Sequence, residues 1–207
     1  MTTSTTISQR PQVRKAAHTD DAQIAEVLGR AFFDDPVFRW IVPDDDRRRR
    51  ISPEFFRVYN TTLLSYDETY IDHDGVGVVL WAPPRRPPID DDDADAFART
   101  MDDLFGVDVA RLNEIVTLLD EHHPDGPPHY HLQWAGVEPD RQGQGIGSAL
   151  LTPGLQRCDR DQVPAYVDAT SPRNERLYER HGFRLLDEIA PASGPPLFRM
   201  WREPATP

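Results

Sequence analysis

The sequence predicts an α/β domain: a mixed central β-sheet of about seven strands flanked by helices. Short segments rich in β-branched and aromatic residues are interspersed with stretches whose apolar residues recur at helical period. The clearest strand-like run, Tyr130 to Val137, leads through a glycine-rich turn, Gly143 to Gly147, into an apolar helix. A length of 207 residues suits one domain with a buried core. The boundaries read as a disordered segment over 1–11, a single domain over 12–203 and a tail over 204–207.

In chain order, a short strand is expected from Val13 to Ala16. Thr19 is read as the N-cap of a helix whose Ile24, Val27, Leu28, Ala31 and Phe32 form one buried face. Pro36 ends that helix, because the residue before a proline is driven out of the helical region, and a loop carrying Trp40 follows. Asp44 to Asp46 with Arg47 to Arg50 reads as a solvated helix start. Thr69 to Ile71 and Val76 to Trp81 form a hairpin across Asp72-His73-Asp74-Gly75. After the prolines at 83, 84, 87 and 88, Asp90 to Asp93 opens another helix, and Leu112, Ile115, Leu118 and Leu119 keep the period up to His122. Beyond the glycine turn, Ile146, Leu150 and Leu151 are helical. Ala165 to Ala169 is a strand, Leu177 and Tyr178 lie on a short helix stopped at Gly182, and strands near Phe183 to Ile189 and Leu197 to Trp201 follow.

Asp and Glu outnumber Lys and Arg 35 to 23, a net charge of -12, which disfavours a duplex nucleic acid or anionic membrane as partner and suits a cationic small molecule. The single cysteine, Cys158, excludes an intrachain disulfide and a thiolate metal cluster. His129 and His131 share a strand face but lack an evident third ligand, so no metal is expected. With no signal-peptide run and no apolar stretch of membrane-spanning length, the chain reads as cytoplasmic.

The turn after Val137 places three alternate glycines, Gly143, Gly145 and Gly147, at a helix N-terminus, where small residues let backbone N–H groups approach an anion. A purely structural loop is the other reading. The Walker loop is disfavoured because no lysine follows these glycines, and the dinucleotide fingerprint because the third follows the second by two residues rather than three.

Gln142-x-x-Gly145-x-Gly147, preceded by Val137-x-Pro139, resembles the acyl-CoA pyrophosphate motif of GCN5-related N-acetyltransferases. Asn174, Leu177-Tyr178-Glu179 and Gly182-Phe183 resemble that family's second signature, in the right order. Within the family the chain looks most like the puromycin N-acetyltransferase-like subgroup, on Arg30 to Pro36, Leu80 to Pro83, Gly136-Val137-x-Pro139 and Pro172-Arg173-Asn174. The resemblance implies central strands that splay to hold acyl-CoA, and acetyl-CoA as co-substrate. It implies that the backbone of Ala135, Gly136 and Val137 meets the pantetheine arm. Gln142, Gly143, Gln144, Gly145, Ile146, Gly147 and Ser148 would hold the pyrophosphate, and Asn174 would order the site.

The same resemblance makes Tyr178 the acid for the CoA thiolate, although a tyrosine at helical spacing is ordinarily core. Asp168 stands near the family's acidic position and reads as base or as structural hydrogen-bonder; His131 reads as a second base candidate or as packing. By analogy with the subgroup, Phe32, Phe33, Asp35 and Trp40, with Trp81 and Tyr130 nearby, form the acceptor pocket; Phe32 and Trp81 read equally well as core. The implied activity is acetyl transfer to a primary amine of a small molecule, such as an antibiotic or another amphipathic amine, by direct attack on the thioester. A protein N-terminal or lysine acetyltransferase and a non-catalytic acyl-CoA sensor are the alternatives. A homodimer is left open.

Overall fold

The computed structural model describes residues 11–89 and 91–206. Of the expected disordered segment 1–11, all but Pro11 lies outside these residues, as do Asp90 of the acidic run and Pro207 of the tail. The strands are β1 (Val13–Lys15), β2 (Thr69–Asp72), β3 (Gly77–Ala82), β4 (Tyr130–Val137), β5 (Ala165–Ala169), β6 (Arg184–Ile189) and β7 (Leu197–Arg202). The helices are α1 (Asp21–Ala31), α2 (Pro36–Ile41), α3 (Asp45–Ser65), α4 (Ala94–Phe105), α5 (Val109–Glu121), α6 (Ile146–Asp161) and α7 (Pro172–Arg180). All seven strands form one sheet in the order β1-β2-β3-β4-β5-β7-β6, antiparallel except where β4 meets β5.

Apolar side chains bury on both faces of the sheet. On one face Leu28 of α1, Phe32 just past its end, Phe38 of α2 and Phe55 and Phe56 of α3 pack with Ile71, Val78 and Leu80. On the other, Leu150, Leu151 and Leu155 of α6 cover Val79, Trp81, Tyr130 and Leu132. Fully burying one such side chain stabilises the fold by about 1.5–3 kcal/mol, so these two layers hold the sheet between the helices.

Three local expectations are corrected. Thr19 does not cap α1: it sits inside a 3₁₀ turn, His18–Asp20, and the Asp20 carboxylate accepts from Ala17 N (2.8 Å) and Arg14 (2.7 Å). Trp40 lies on a helix rather than a loop, because Asp35 caps α2 by accepting from Val37 N (2.9 Å) and Phe38 N (3.2 Å) while Pro36 supplies a helix-ready φ at the first position.

The basic run is not wholly solvated. Arg48 is buried, and its guanidinium donates to the carbonyls of Phe33 (2.7 Å) and Val42 (2.6 Å) and to Asp45 (2.6 Å), which fixes the connection between α1 and α3. The tail is tied back as far as Ala205, whose N–H donates to Asp159 (2.8 Å) and whose carbonyl accepts from Gln162 (3.0 Å).

Candidate active site

The parallel ladder between β4 and β5 comprises only Tyr130↔Ala165 and His131↔Tyr166, after which the strands part. Two features of β4 accompany the split. Gln133 has no partner between Trp81↔Leu132 and Leu80↔Trp134, a β-bulge that turns Trp134 to the sheet face opposite Leu132. At Gly136, α1 crosses so closely that a Cβ would stand 2.9 Å from Ala31 Cβ and Leu28 Cδ2. Beyond His131, the edge of β4 that faces β5 therefore carries no ladder bonds.

A groove of ≈ 830 Å³ opens at the split and runs to the glycine turn. Gln142 pins the turn by donating to Val137 O (3.0 Å). Gly143 (φ 76°) and Gly145 (φ 84°) adopt left-handed backbone, and a Cβ on either would meet nothing within 4 Å, so both face the open groove. Gly145 caps α6 without a side chain, leaving the first N–H groups of that helix without a capping acceptor at its positive end. Arg173 and Arg180 line the groove from α7, and neither has an ion-pair partner among the described residues. Free amides, a helix N-terminus and unpaired cations suit a pyrophosphate, and the unpaired edge of β4 suits an amide-bearing arm.

At the inner end lies a chamber of ≈ 30 Å³, with Gln133, Trp134, Asp168, Thr170, Asn174 and Tyr178 in its wall. Tyr178 lines both spaces; burial, with a smaller contribution from Asp35, pushes its phenol well above the ordinary tyrosine range, so it carries its proton at neutral pH. Burial raises Asp168 to about 6 against the hydrogen bond it accepts from Tyr166 Oη (2.6 Å). His131 Nε2 stands 3.7 Å from Asp168 Oδ2 but does not line the chamber. Burial first, then the neighbouring His123 and His129, lowers it to about 3, so the imidazole is neutral.

Asn174 Nδ2 donates to Thr170 Oγ1 (3.3 Å), and Thr170 Oγ1 donates to Asp35 Oδ2. Asp35, raised to about 6 by burial, reaches the groove with both carboxylate oxygens already engaged.

Tyr178, Asp168 and Asn174 thus converge with the glycine turn and with Ala135, Gly136 and Val137. Of the six residues expected around the acceptor, four do not: Phe33 lies instead under the guanidinium groups of Arg48 and Arg49. Phe32 and Asp35 reach the cavities, but Trp81 is fully buried beneath α6, and Tyr130 is buried on the same face with its hydroxyl donating to Asp161 (2.8 Å). Trp40 packs on the turn around Gly194 and lines neither space. Sequence reasoning passed over Gln133, Trp134, Thr170 and Tyr166. Tyr166 was findable, since it stands two residues from Asp168 on a strand and shares its face.

A mixed sheet that splits beside a glycine-rich helix N-terminus, with a buried phenol at the split, is the arrangement that the sequence resemblance implies for an acyl-CoA-binding acyltransferase. The family described as Acetyltransferase (GNAT) domain matches residues 106–185. An uncharacterized N-acetyltransferase of Schizosaccharomyces pombe is 26% identical over 213 residues, covering 90% of this chain and 81% of that protein. A mycothiol acetyltransferase of Propionibacterium freudenreichii is 34% identical over 103 residues, 44% of this chain, and this match spans only 33% of its length.

Among solved structures, a Corynebacterium glutamicum protein described as histone acetyltransferase HPA2 and related acetyltransferase superposes with a TM-score of 0.72 at 28% identity, over 96% of this chain and 99% of that one. The domain match, the relatives and the superposed structure agree in supporting a GNAT-type, acetyl-CoA-dependent N-acyltransferase. Among the described residues no helix is long and apolar enough to cross a membrane, and no group of three or more metal-ligating side chains assembles.

Proposed function

We propose that the protein acetylates a primary amine of a small molecule, with direct attack of the amine on the thioester of acetyl-CoA. The observation that carries this reading is the convergence of Tyr178 and Asp168 on one small chamber at the end of the groove. Acetyl-CoA supplies an acyl carbon activated as a thioester. The backbone of Ala135 to Val137 pairs with the pantetheine arm, the N–H groups of Gly143 to Ser148 hold the pyrophosphate, and Arg173 and Arg180 add charge beside it. Asn174 holds Thr170 at the chamber wall, and Thr170 in turn holds Asp35 beside the groove.

Asp168, with a pKa near 6, is ionised at neutral pH and takes the proton released as the amine nitrogen bonds to the acyl carbon. Tyr178 gives its phenolic proton to the departing sulfur. His131, neutral beside Asp168 and lowered to about 3, is the weaker base of the two, so the proton stays with the carboxylate. A chamber of ≈ 30 Å³ has room for about one or two waters, which suits an unbranched amine terminus, and the net charge of -12 suits a cationic acceptor.

The test is thiol release from acetyl-CoA by wild type and Tyr178→Phe across an amine panel that includes puromycin and simple polyamines. The reading expects turnover with at least one amine and a loss of about 10²–10⁴-fold in the variant with CoA affinity retained. CoA binding without acetylation of any amine would favour a sensor, and equal turnover by the variant would remove Tyr178 from the mechanism.

A further inference from the structure

We infer that Tyr166 is a positioning residue: its hydroxyl, itself held by Arg199, orients the Asp168 carboxylate toward the chamber. The inference rests on Asp168 being the base. Tyr166 and Asp168 alternate on β5 and share one face of the sheet. Among the described residues, Tyr166 Oη, 2.6 Å from Oδ1, is the sole hydrogen-bond donor to Asp168, which leaves Oδ2 for a proton arriving from the acceptor.

The phenol is fixed from several sides. Its ring is 1% exposed and packs against His131 (centroids 5.2 Å apart) and His123 (5.3 Å). Arg199, opposite Asp168 in the β5–β7 ladder, donates from Nε to Tyr166 Oη (3.3 Å). The Arg199 guanidinium is in turn held by Asp187 of β6 (2.8 and 3.0 Å). An ion pair at the rim of the sheet thereby sets the rotamer of a phenol, and the phenol sets the carboxylate.

Among the described residues, the charged and titratable groups around Asp168 are Tyr166 on its own strand, His131 on β4, Arg199 on β7, Asp187 on β6 and, in the same chamber wall, Tyr178 of α7. Tyr166 and Arg199 favour the carboxylate, and Asp187 opposes it. A purely structural Tyr166 would leave the titration of Asp168 in place. A positioning one moves it, in opposite senses for opposite members of the network.

The experiment is a carboxyl ¹³C NMR titration of aspartate-labelled protein, with the Asp168 signal assigned by its disappearance in Asp168→Asn. Tyr166→Phe keeps the ring and removes the donor, so the Asp168 midpoint rises by about one pH unit or more. Arg199→Gln shifts it the same way and reads the network should Tyr166→Phe fail to fold, whereas Asp187→Asn lowers it. An unmoved or lowered midpoint in Tyr166→Phe, or in Arg199→Gln where that variant stands in, overturns the inference. The base reading is judged separately: Asp168→Asn with wild-type turnover on the amine panel would end it while leaving the titration result intact.

Discussion

Replacing Asp168 by asparagine should stabilise the protein at alkaline pH while removing its activity. The side chain is 12% exposed, and burial lifts its pKa from the ordinary 3.8 to about 6. The folded state therefore holds the proton more tightly than the unfolded chain. Stability is greatest with the carboxyl protonated, falls as pH rises from about 4 through 6, and stays lower above. Two pH units correspond to about 3 kcal/mol, an upper value for what Asp168→Asn recovers at pH 8, since the amide keeps an oxygen for Tyr166 but adds two N–H donors.

For a chain of this size, that stabilisation is a rise in Tm of up to about 10 °C. The assay is thermal unfolding of wild type and variant at pH 8 and pH 4 at constant ionic strength. The gap should be present at the higher pH and close at the lower, because the native aspartate is then protonated and resembles the amide. Asp35, also raised, titrates in both proteins and cancels in the comparison. Turnover should fall by about 10²–10⁴-fold, and the limb of the wild-type rate that rises through pH 6 should vanish. A variant less stable than wild type at pH 8, or a gap independent of pH, would refute the reasoning.

Gly145→Ala places a methyl group where no protein atom lies within 4 Å but at φ 84°, so the strain of about 1–2 kcal/mol and the loss of the cradle should weaken CoA binding tenfold or more in titration calorimetry, with only a modest fall in Tm. Gly154→Ala drives a Cβ to within 2.5 Å of Trp81 Cε2 in the core and should lower stability by about 1–3 kcal/mol in urea, with CoA affinity of the folded protein unchanged. Arg48→Met leaves the Phe33 and Val42 carbonyls without their donor and should cost about 3 kcal/mol or more in the same assay.

The glycine turn and the strands on either side of it were legible because their signals are local. Alternation runs unbroken through Ala165 to Ala169, and the turn's glycines sit between an apolar strand and an apolar helix. Other features depend on contacts distant in sequence. Pro36 reads as a terminator, and only the Asp35 carboxylate turned onto Val37 and Phe38 makes it a first helical residue. Helix α3 runs through Pro53 because Ile51, Phe55, Phe56, Tyr59 and Leu63 bury one face.

The bulge at Gln133 has no sequence signature, yet it decides that Trp134 rather than Tyr130 or Trp81 meets the chamber. Strict alternation would have placed Trp134 with Leu132. The acceptor residues were therefore misplaced where strand phase changes and where α6 covers the sheet.

Amide mapping of CoA on ¹⁵N-labelled protein tests the central claim most directly, because it reports where the donor sits without requiring the acceptor. The account predicts saturable shifts centred on Ala135 to Val137 and on Gly143 to Ser148, with Asn174 and Tyr178 following. CoA that leaves these amides unperturbed, or that shifts a different surface, would contradict it.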